Sequence, residues 1–278
     1  MTPISKTGES GEGLREEDPP EEAGPDRRFA TTLARGLSVL RAFRTSDGPL
    51  GNQELSERTG LPKSTVSRMT YTLSQLGYLD HLRSIEKYRL GPAALALGNI
   101  ARVNLPFLEI ANPIMQELAD ETGTLVAFTV RDQLSMLYAH CWRPRAAATI
   151  WLEVGRKIPL DKTASGLCFL ASASERECRG LRQEFVASGE LTGDAFDSIV
   201  KRARQQLLSL GYTTSIGGWV DTINAVAVPF RSHEASQAFV FNCGDLSNNL
   251  TEARITEEVG PLLRRRVGDL EARMGQST

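Results

Sequence analysis

Residues 52–77 constrain the chain most. Asn52 to Arg68, followed by Met69 to Gly77, reads as two short helices joined by a turn at Gly60. That arrangement is a helix-turn-helix. In its second helix Val66, Met69, Leu73 and Leu76 recur at a spacing that gathers them on one buried stripe. Lys63, Ser64, Thr65, Ser67, Arg68 and Tyr71 fall off the stripe. Short hydroxyl-bearing and basic side chains of this kind reach phosphates and base edges in a DNA major groove. A helical hairpin used only for packing also has a polar outer face, so the flanking segments must decide.

Those segments favour DNA. From Thr32 to about Phe43, Leu33, Leu37, Leu40 and Phe43 recur at helical spacing, and Ser46-Asp47-Gly48-Pro49 ends that helix. After the hairpin, Tyr78-Leu79-Asp80 and Tyr88-Arg89-Leu90 read as two short strands around the polar loop His81–Lys87. Three helices and such a hairpin make a winged helix. Arg83 and Lys87 then sit at the wing tip, where they enter a minor groove or meet phosphate; an ordinary solvated turn accounts for them equally well. The chain's net charge of −2 hides an uneven distribution. Residues 1–28 carry eight acids and four bases, whereas residues 31–103 carry five acids and ten bases. The positive charge lies where a DNA reading requires it.

A chain of 278 residues has room for two domains. Residues 1–28 are rich in Gly, Glu, Pro and Ser and poor in apolar side chains, which predicts a disordered tail. The winged helix is expected over residues 29–91. Gly91-Pro92 breaks the wing and opens a linker helix over residues 92–104, whose Leu95, Leu97 and Ile100 offer apolar surface for self-association. Residues 105–278 begin with a helix, Leu108–Glu121. Strand-like segments follow at Thr124–Arg131, Leu134–Trp142, Ala147–Val154, Asn224–Phe230 and Ser236–Asn242. Helical segments lie at Ser165–Ser172, Arg176–Phe185, Ala195–Leu210 and Thr251–Met274. The expected class is therefore α+β, with one antiparallel sheet in the C-terminal domain.

Other functions find little support. Nothing resembles a secretory signal and no apolar run is long enough to span a bilayer, so a cytoplasmic protein with no membrane partner is expected. Cys141, Cys168, Cys178 and Cys243 have no C-x-x-C spacing, which argues for free thiols rather than zinc or disulfides, and no cofactor is expected. His81, His140 and His233 are scattered, and neither G-x-S-x-G nor H-E-x-x-H occurs. Glycines 8, 11 and 13 imitate a nucleotide loop but lie in the tail, without the strand and helix it needs. An enzyme is disfavoured. A ligand-independent architectural DNA-binding protein stays as the alternative.

The sequence resembles the IclR-type transcriptional regulators. The matching residues are Arg35-Gly36-Leu37-Ser38-Val39-Leu40, Gly60 through Arg68, Gly77-Tyr78 and Lys87-Tyr88-Arg89-Leu90-Gly91. Further on, Pro159-Leu160, Thr163-Ala164-Ser165-Gly166 and Leu210-Gly211-Tyr212 resemble the effector domain of that family. The resemblance implies a winged helix, a linker helix and a GAF-like domain that binds a small organic acid. It also implies a homodimer or dimer of dimers on a pseudo-palindromic double-stranded operator, controlling catabolic genes.

Thr163-Ala164-Ser165-Gly166 stands before an expected helix, where unpaired N–H groups and the helix dipole favour a carboxylate. The same residues also fit a plain N-cap, Thr163, on a buried helix. Family members often carry an acidic pair, a glycine and a cysteine in the segment where this chain has Ser215 to Ala225, with Ala225 at the cysteine position. Trp219, Phe128, Trp151, Phe241 and Cys243 join Ser215 and Ala225 as expected lining of a larger pocket that would suit an aromatic acid. Trp142 is a further candidate. For each ring, ordinary core packing is the alternative.

Overall fold

The computed structural model describes residues 29–231 and 239–275. The expected tail, His233 and positions 236–238 of the last expected strand lie outside them.

The N-terminal module contains α1 (Thr31–Arg41), α2 (Asn52–Thr59), α3 (Lys63–Gln75), β1 (Leu79–Leu82) and β2 (Lys87–Leu90). Its core is Val39, Leu50, Leu55, Val66, Leu73 and Leu79. Gly60 ends α2 at φ 69°, a left-handed conformation that glycine adopts without steric cost and that turns the chain into α3. A half-buried hydrogen bond from Thr70 Oγ1 to Asn52 Oδ1, 3.0 Å long, ties the two helices together. The strands pair antiparallel, with Leu79 opposite Leu90 and Leu82 opposite Lys87.

Two apolar stripes differ from expectation. At about 100° per residue, Leu33 and Leu37 lie about 120° and 160° round α1 from the buried Val39, and they are 63% and 50% exposed. Gly36 and Val39 form the inner face instead, helped by Leu40 and Phe43. On α3, Leu76 lies about 80° from Val66 by the same rule and is 62% exposed, while Thr70 is buried in its place.

Pro92 opens α4 (Pro92–Val103), in which no residue is buried. Then come α5 (Phe107–Thr122), β3 (Leu125–Asp132), β4 (Ser135–Trp142), β5 (Lys157–Pro159), α6 (Ala164–Ser172), α7 (Glu175–Ser188), α8 (Gly193–Leu210), β6 (Thr213–Ile216), β7 (Ile223–Phe230) and β8 (Phe239–Leu246). The chain ends in α9 (Glu252–Arg254), a π-helical turn (Ile255–Val259) and α10 (Gly260–Gly275). The strands form one sheet in the order β5-β4-β3-β8-β7-β6, antiparallel throughout. The class is α+β. Residues 147–154, expected as a strand, form none; β5 and β6 were not anticipated.

Side chains alternate across the sheet. Val126, Phe128, Phe241 and Cys243 face α5 and α10, packing with Phe107, Trp142 and Phe230. Leu125, Ala127, Tyr138 and Val240 face the other way, against α6, α7 and α8 through Phe169, Phe185 and Phe196. Among the described residues no helix is long and apolar enough to cross a membrane.

Candidate DNA interface and effector cavity

The face of α3 turned away from the core carries Lys63, Ser64, Ser67, Arg68 and Tyr71, all exposed, with Thr65 half-buried at its edge. Lys63 Nζ donates to Gln53 Oε1 of α2 at 2.9 Å. Arg68 forms no ion pair among the described residues, so its guanidinium projects unengaged. In the wing, Arg83 is exposed at the turn and likewise unpaired. Lys87 is not at the tip. It lies in β2, and its ammonium pairs with Glu54 of α2 at 3.1 Å. Glu54 in turn accepts the Gly51 N–H at 2.7 Å; that bond, with Lys87 behind it, holds its carboxyl below the usual value. Lys87 therefore braces the wing against α2, and of the basic residues expected at DNA, Lys63, Arg68 and Arg83 remain exposed.

The cavity in the C-terminal domain lies on the α6 side of the sheet. It is lined by Tyr138, Ile150, Leu152, Ile158, Thr163, Ala164, Ser165, Ser215, Trp219, Ile223, Ala225, Asn242 and Gly244. Thr163, Ala164, Ser165, Ser215, Trp219 and Ala225 are thus brought together as expected from the sequence. Phe128, Phe241, Cys243 and Trp142 are not: strand alternation turns them to the opposite core, where the Phe128 and Phe241 rings pack tilted with centroids 5.4 Å apart. Trp151 is 73% exposed, with the Arg143 guanidinium 4.4 Å from its ring centroid. It lies outside the cavity.

The start of α6 is shaped by two contacts. Thr163 Oγ1 donates to Pro159 O at 2.7 Å and accepts the Gly166 N–H at 3.2 Å. Gly166 is therefore spent as a donor, leaving the first-turn N–H groups of Ala164 and Ser165 without helical partners. Gly166 also packs so closely on Leu160 that a Cβ there would stand 2.0 Å from the Leu160 carbonyl oxygen.

Sequence reasoning missed Tyr138 and Asn242. Asn242 Nδ2 donates to the Tyr138 hydroxyl at 3.3 Å, while Asn242 Oδ1 has no partner. Ser165 Oγ is likewise buried, and among the described residues neither oxygen has a partner. Burial pushes the Tyr138 hydroxyl upward, so it keeps its proton and remains a donor. Buried polar groups are ordinarily satisfied, and a cluster of unsatisfied ones beside a helix N-terminus is a place where a polar ligand gains directly. Ser215 is already engaged, its hydroxyl donating to Lys162 O at 2.7 Å. No lysine or arginine lines the cavity. The space left is about 20 Å³, about one water's worth.

Residues 143–156 close the cavity. Ile150 and Leu152 point inward, and the segment is pinned by Gln116 Nε2 to Arg143 O at 2.8 Å and by Gly155 N to Tyr138 O at 2.8 Å. The four thiols are free. Burial pushes Cys141 up to about 11 and Cys243 up to about 12, which makes neither a nucleophile at neutral pH. Among the described residues no cluster suited to a metal ion occurs.

The IclR helix-turn-helix domain matches residues 32–83, and the C-terminal domain of the bacterial IclR transcriptional regulators matches residues 101–270. The chain is 34% identical to the HTH-type transcriptional regulator TsaQ1/TsaQ2 of Comamonas testosteroni, covering 87% of this chain and 88% of that one. The crystal structure of an IclR family regulator from Brucella abortus superposes with a TM-score of 0.79 at 36% identity, covering 91% of this chain and 96% of that one. An IclR homologue from Microbacterium hydrocarbonoxydans, complexed with 4-hydroxybenzoate, shares the fold at a TM-score of 0.68 and 21% identity, covering 88% and 99%. Both domains and nearly the whole described chain are thus accounted for, and the protein belongs to the IclR family of transcriptional regulators.

Proposed function

We propose that the protein is a ligand-responsive, sequence-specific regulator whose operator affinity is set by a small organic acid, an aromatic carboxylate fitting best. The observation that carries this reading is the group Tyr138, Ser165 and Asn242, buried polar functions with unspent hydrogen-bonding capacity around the start of α6. A carboxylate placed there takes hydrogen bonds from Ser165 Oγ and from the Ala164 and Ser165 amides, with the helix dipole favouring its charge. The rest of the cavity is apolar, with Trp219, Ile150, Ile158 and Leu152 as walls for a ring. A phenolic hydroxyl at the far end of such a ring finds a partner in the amide of Asn242. The 4-hydroxybenzoate bound by the Microbacterium relative has this bipolar character.

On the DNA side, Lys63, Ser64, Thr65, Ser67, Arg68 and Tyr71 read the major groove and Arg83 meets phosphate. Two copies on a pseudo-palindromic operator multiply these contacts, and the exposed Leu33 and Leu37 of α1 and Leu95, Leu97, Ile100 and Val103 of α4 supply the apolar surface for pairing. The regulated genes are those for catabolism of the effector.

The test starts by enriching bound sequences from a random duplex library. Fluorescence anisotropy on the enriched duplex, with and without 4-hydroxybenzoate, should show an affinity change of about 5- to 150-fold, the scale of ordinary allosteric coupling. Operator binding that no aromatic or aliphatic carboxylate alters would leave the ligand-independent architectural reading standing instead.

A further inference from the structure

A second cavity lies where the two domains meet. Its walls include Arg41, Arg44 and Thr45, from the end of α1 and the turn after it, and Ser135, Arg156 and Lys157 from the C-terminal domain. Its volume is about 390 Å³, within the range of small-molecule sites. Four cations therefore face one space, and one carboxylate, Asp132, answers two of them. Asp132 pairs with Arg41 and, at 2.6 Å, with Lys157. Asp47 is held by both guanidinium nitrogens of Arg58 and by the Arg44 N–H at 2.7 Å. Arg44 and Arg156 form no ion pair among the described residues, and Arg156 Nε is buried without any partner.

We propose that this interdomain cleft is a binding site for a small polyanion, a molecule of two or three phosphate or carboxylate charges, distinct from the effector cavity. Guanidinium groups offer planar, fixed donors that match phosphate and carboxylate oxygens, and desolvated Arg–anion pairs are among the stronger protein contacts. Arg41, Arg44 and Lys157 are solvent-exposed, so their mutual repulsion is screened, but the half-buried Arg156 brings an unpartnered donor to the same space that an anion would satisfy. The hydroxyls of Thr45 and Ser135 add neutral donors. Because Arg41 and Arg44 belong to one domain and Arg156 and Lys157 to the other, an anion here binds best when the domains are docked as in this structure. By linkage it favours that arrangement over any other, which makes it a second input to the regulator.

The experiment uses the full chain and inorganic pyrophosphate, titrated calorimetrically at constant ionic strength set with chloride. The expected result is saturable binding of one equivalent per protomer. Arg156→Gln and Arg44→Gln should each weaken it about 10- to 100-fold, the loss of one charge-assisted partner. Arg44 makes no side-chain bond with the described residues, so R44Q keeps the test valid if R156Q unfolds. Citrate in the same titration tells whether carboxylates serve as well as phosphates. Absence of saturable binding overturns the proposal, as does binding that both variants retain. Competitive displacement of pyrophosphate by 4-hydroxybenzoate would move the anion to the effector cavity and overturn it too. Should the variants lose affinity only for random-sequence duplex DNA, the cleft is a backbone-phosphate contact and the small-anion site falls.

Discussion

Arg41, at the end of α1, forms an ion pair with Asp132, at the tip of the β3–β4 hairpin, and thereby joins the DNA-binding domain directly to the effector domain. The same carboxylate accepts Lys157, which follows the segment closing the effector cavity. Ile150 and Leu152 of that segment touch the cavity, whereas Gly155, Arg156 and Lys157 line the cleft against the DNA-binding domain. A ligand larger than the present 20 Å³ space needs some of its lining to move, and if Ile150 and Leu152 are the residues that yield, the movement reaches the Lys157–Asp132 contact along the same segment. Asp132→Asn is expected to cost less than about 1 kcal/mol in thermal unfolding, because the pair is partly exposed and solvent-screened. Its larger effect should be on coupling: the ligand-induced change in operator affinity should shrink while basal binding persists. Full coupling in the variant would show that the signal takes another route.

The pH behaviour of this contact follows from its surroundings. Burial alone raises the Asp132 carboxyl, but hydrogen bonds from Lys157 and Arg41 outweigh it and hold the group below its ordinary value. The contribution to stability is therefore complete above the unfolded carboxylate pKa, about 3.9, and is lost only as pH falls through the still lower folded value. Between pH 5 and 8 the coupling should not change through Asp132, whereas raising salt from 0.05 to 0.5 M should weaken it. A coupling that titrates near neutrality would point to some other group.

Arg68→Ala should weaken operator binding by about 1–3 kcal/mol and relax preference at one base position. Lys87→Ala should act differently, through the lost brace to Glu54, as a small fall in stability with a modest, sequence-independent loss of affinity. Anisotropy on the enriched duplex and on single-base variants separates the two. A folded Arg68→Ala protein with unchanged affinity and specificity would remove Arg68 from the interface.

The outward face of α3 was legible because a helix repeats every 3.6 residues, so leaving Val66 and Leu73 inside puts Ser67 and Arg68 outside. The lining of the candidate effector cavity was half legible. Thr163 to Gly166 announced itself by composition before a helix, Ala225 followed from its place at the family's cysteine position, and Trp219 was one of several rings offered as lining. Phe128 and Phe241 misled because β3 and β8 are buried on both faces and read as largely apolar runs without alternation, which hide which side each ring takes. Tyr138 and Asn242 come together only through the β4-β3-β8 pairing, although Asn242, the one amide within the apolar run Phe239 to Cys243, was a detectable signal. The stripe on α1 failed for a simpler reason: Leu33 and Leu37 have the right spacing for a face, but that face is not the inner one.

That outward stripe has a consequence for assembly. Leu97→Glu on α4 and Leu37→Glu on α1 place charge on apolar surface that the single chain leaves exposed. Each should lower self-association in sedimentation at micromolar concentration while leaving the monomer's fold intact by circular dichroism. Operator affinity should fall with dimerisation. If both variants sediment like the unaltered chain, the copies meet through another surface.

Gly166→Ala probes the α6 start by packing alone. The added methyl would sit 2.0 Å from the Leu160 carbonyl, closer than any unshifted backbone allows. Denaturant unfolding should show a loss of about 1–3 kcal/mol or more, the usual cost of overpacking. A neutral result would mean that the Thr163–Gly166 turn is able to slide, and with it the amides assigned to the effector.

The cavity itself is tested most sharply by separating its two polar ends. Tyr138→Phe removes a hydroxyl whose one side-chain partner among the described residues is Asn242, and since it leaves the buried Asn242 Nδ2 without an acceptor the stability cost should be about 1–3 kcal/mol. If the Tyr138–Asn242 pair receives a phenolic hydroxyl, the variant should lose affinity for 4-hydroxybenzoate and keep it for benzoate. Ser165→Glu acts at the other end. Its carboxylate faces the incoming one against the same pair of amides, so response to both acids should vanish while the α3 face, in the other domain, keeps basal operator binding. Loss of benzoate response in Tyr138→Phe together with an intact response in Ser165→Glu would reverse the orientation argued for the ligand, placing its charged group at Asn242 rather than at the start of α6.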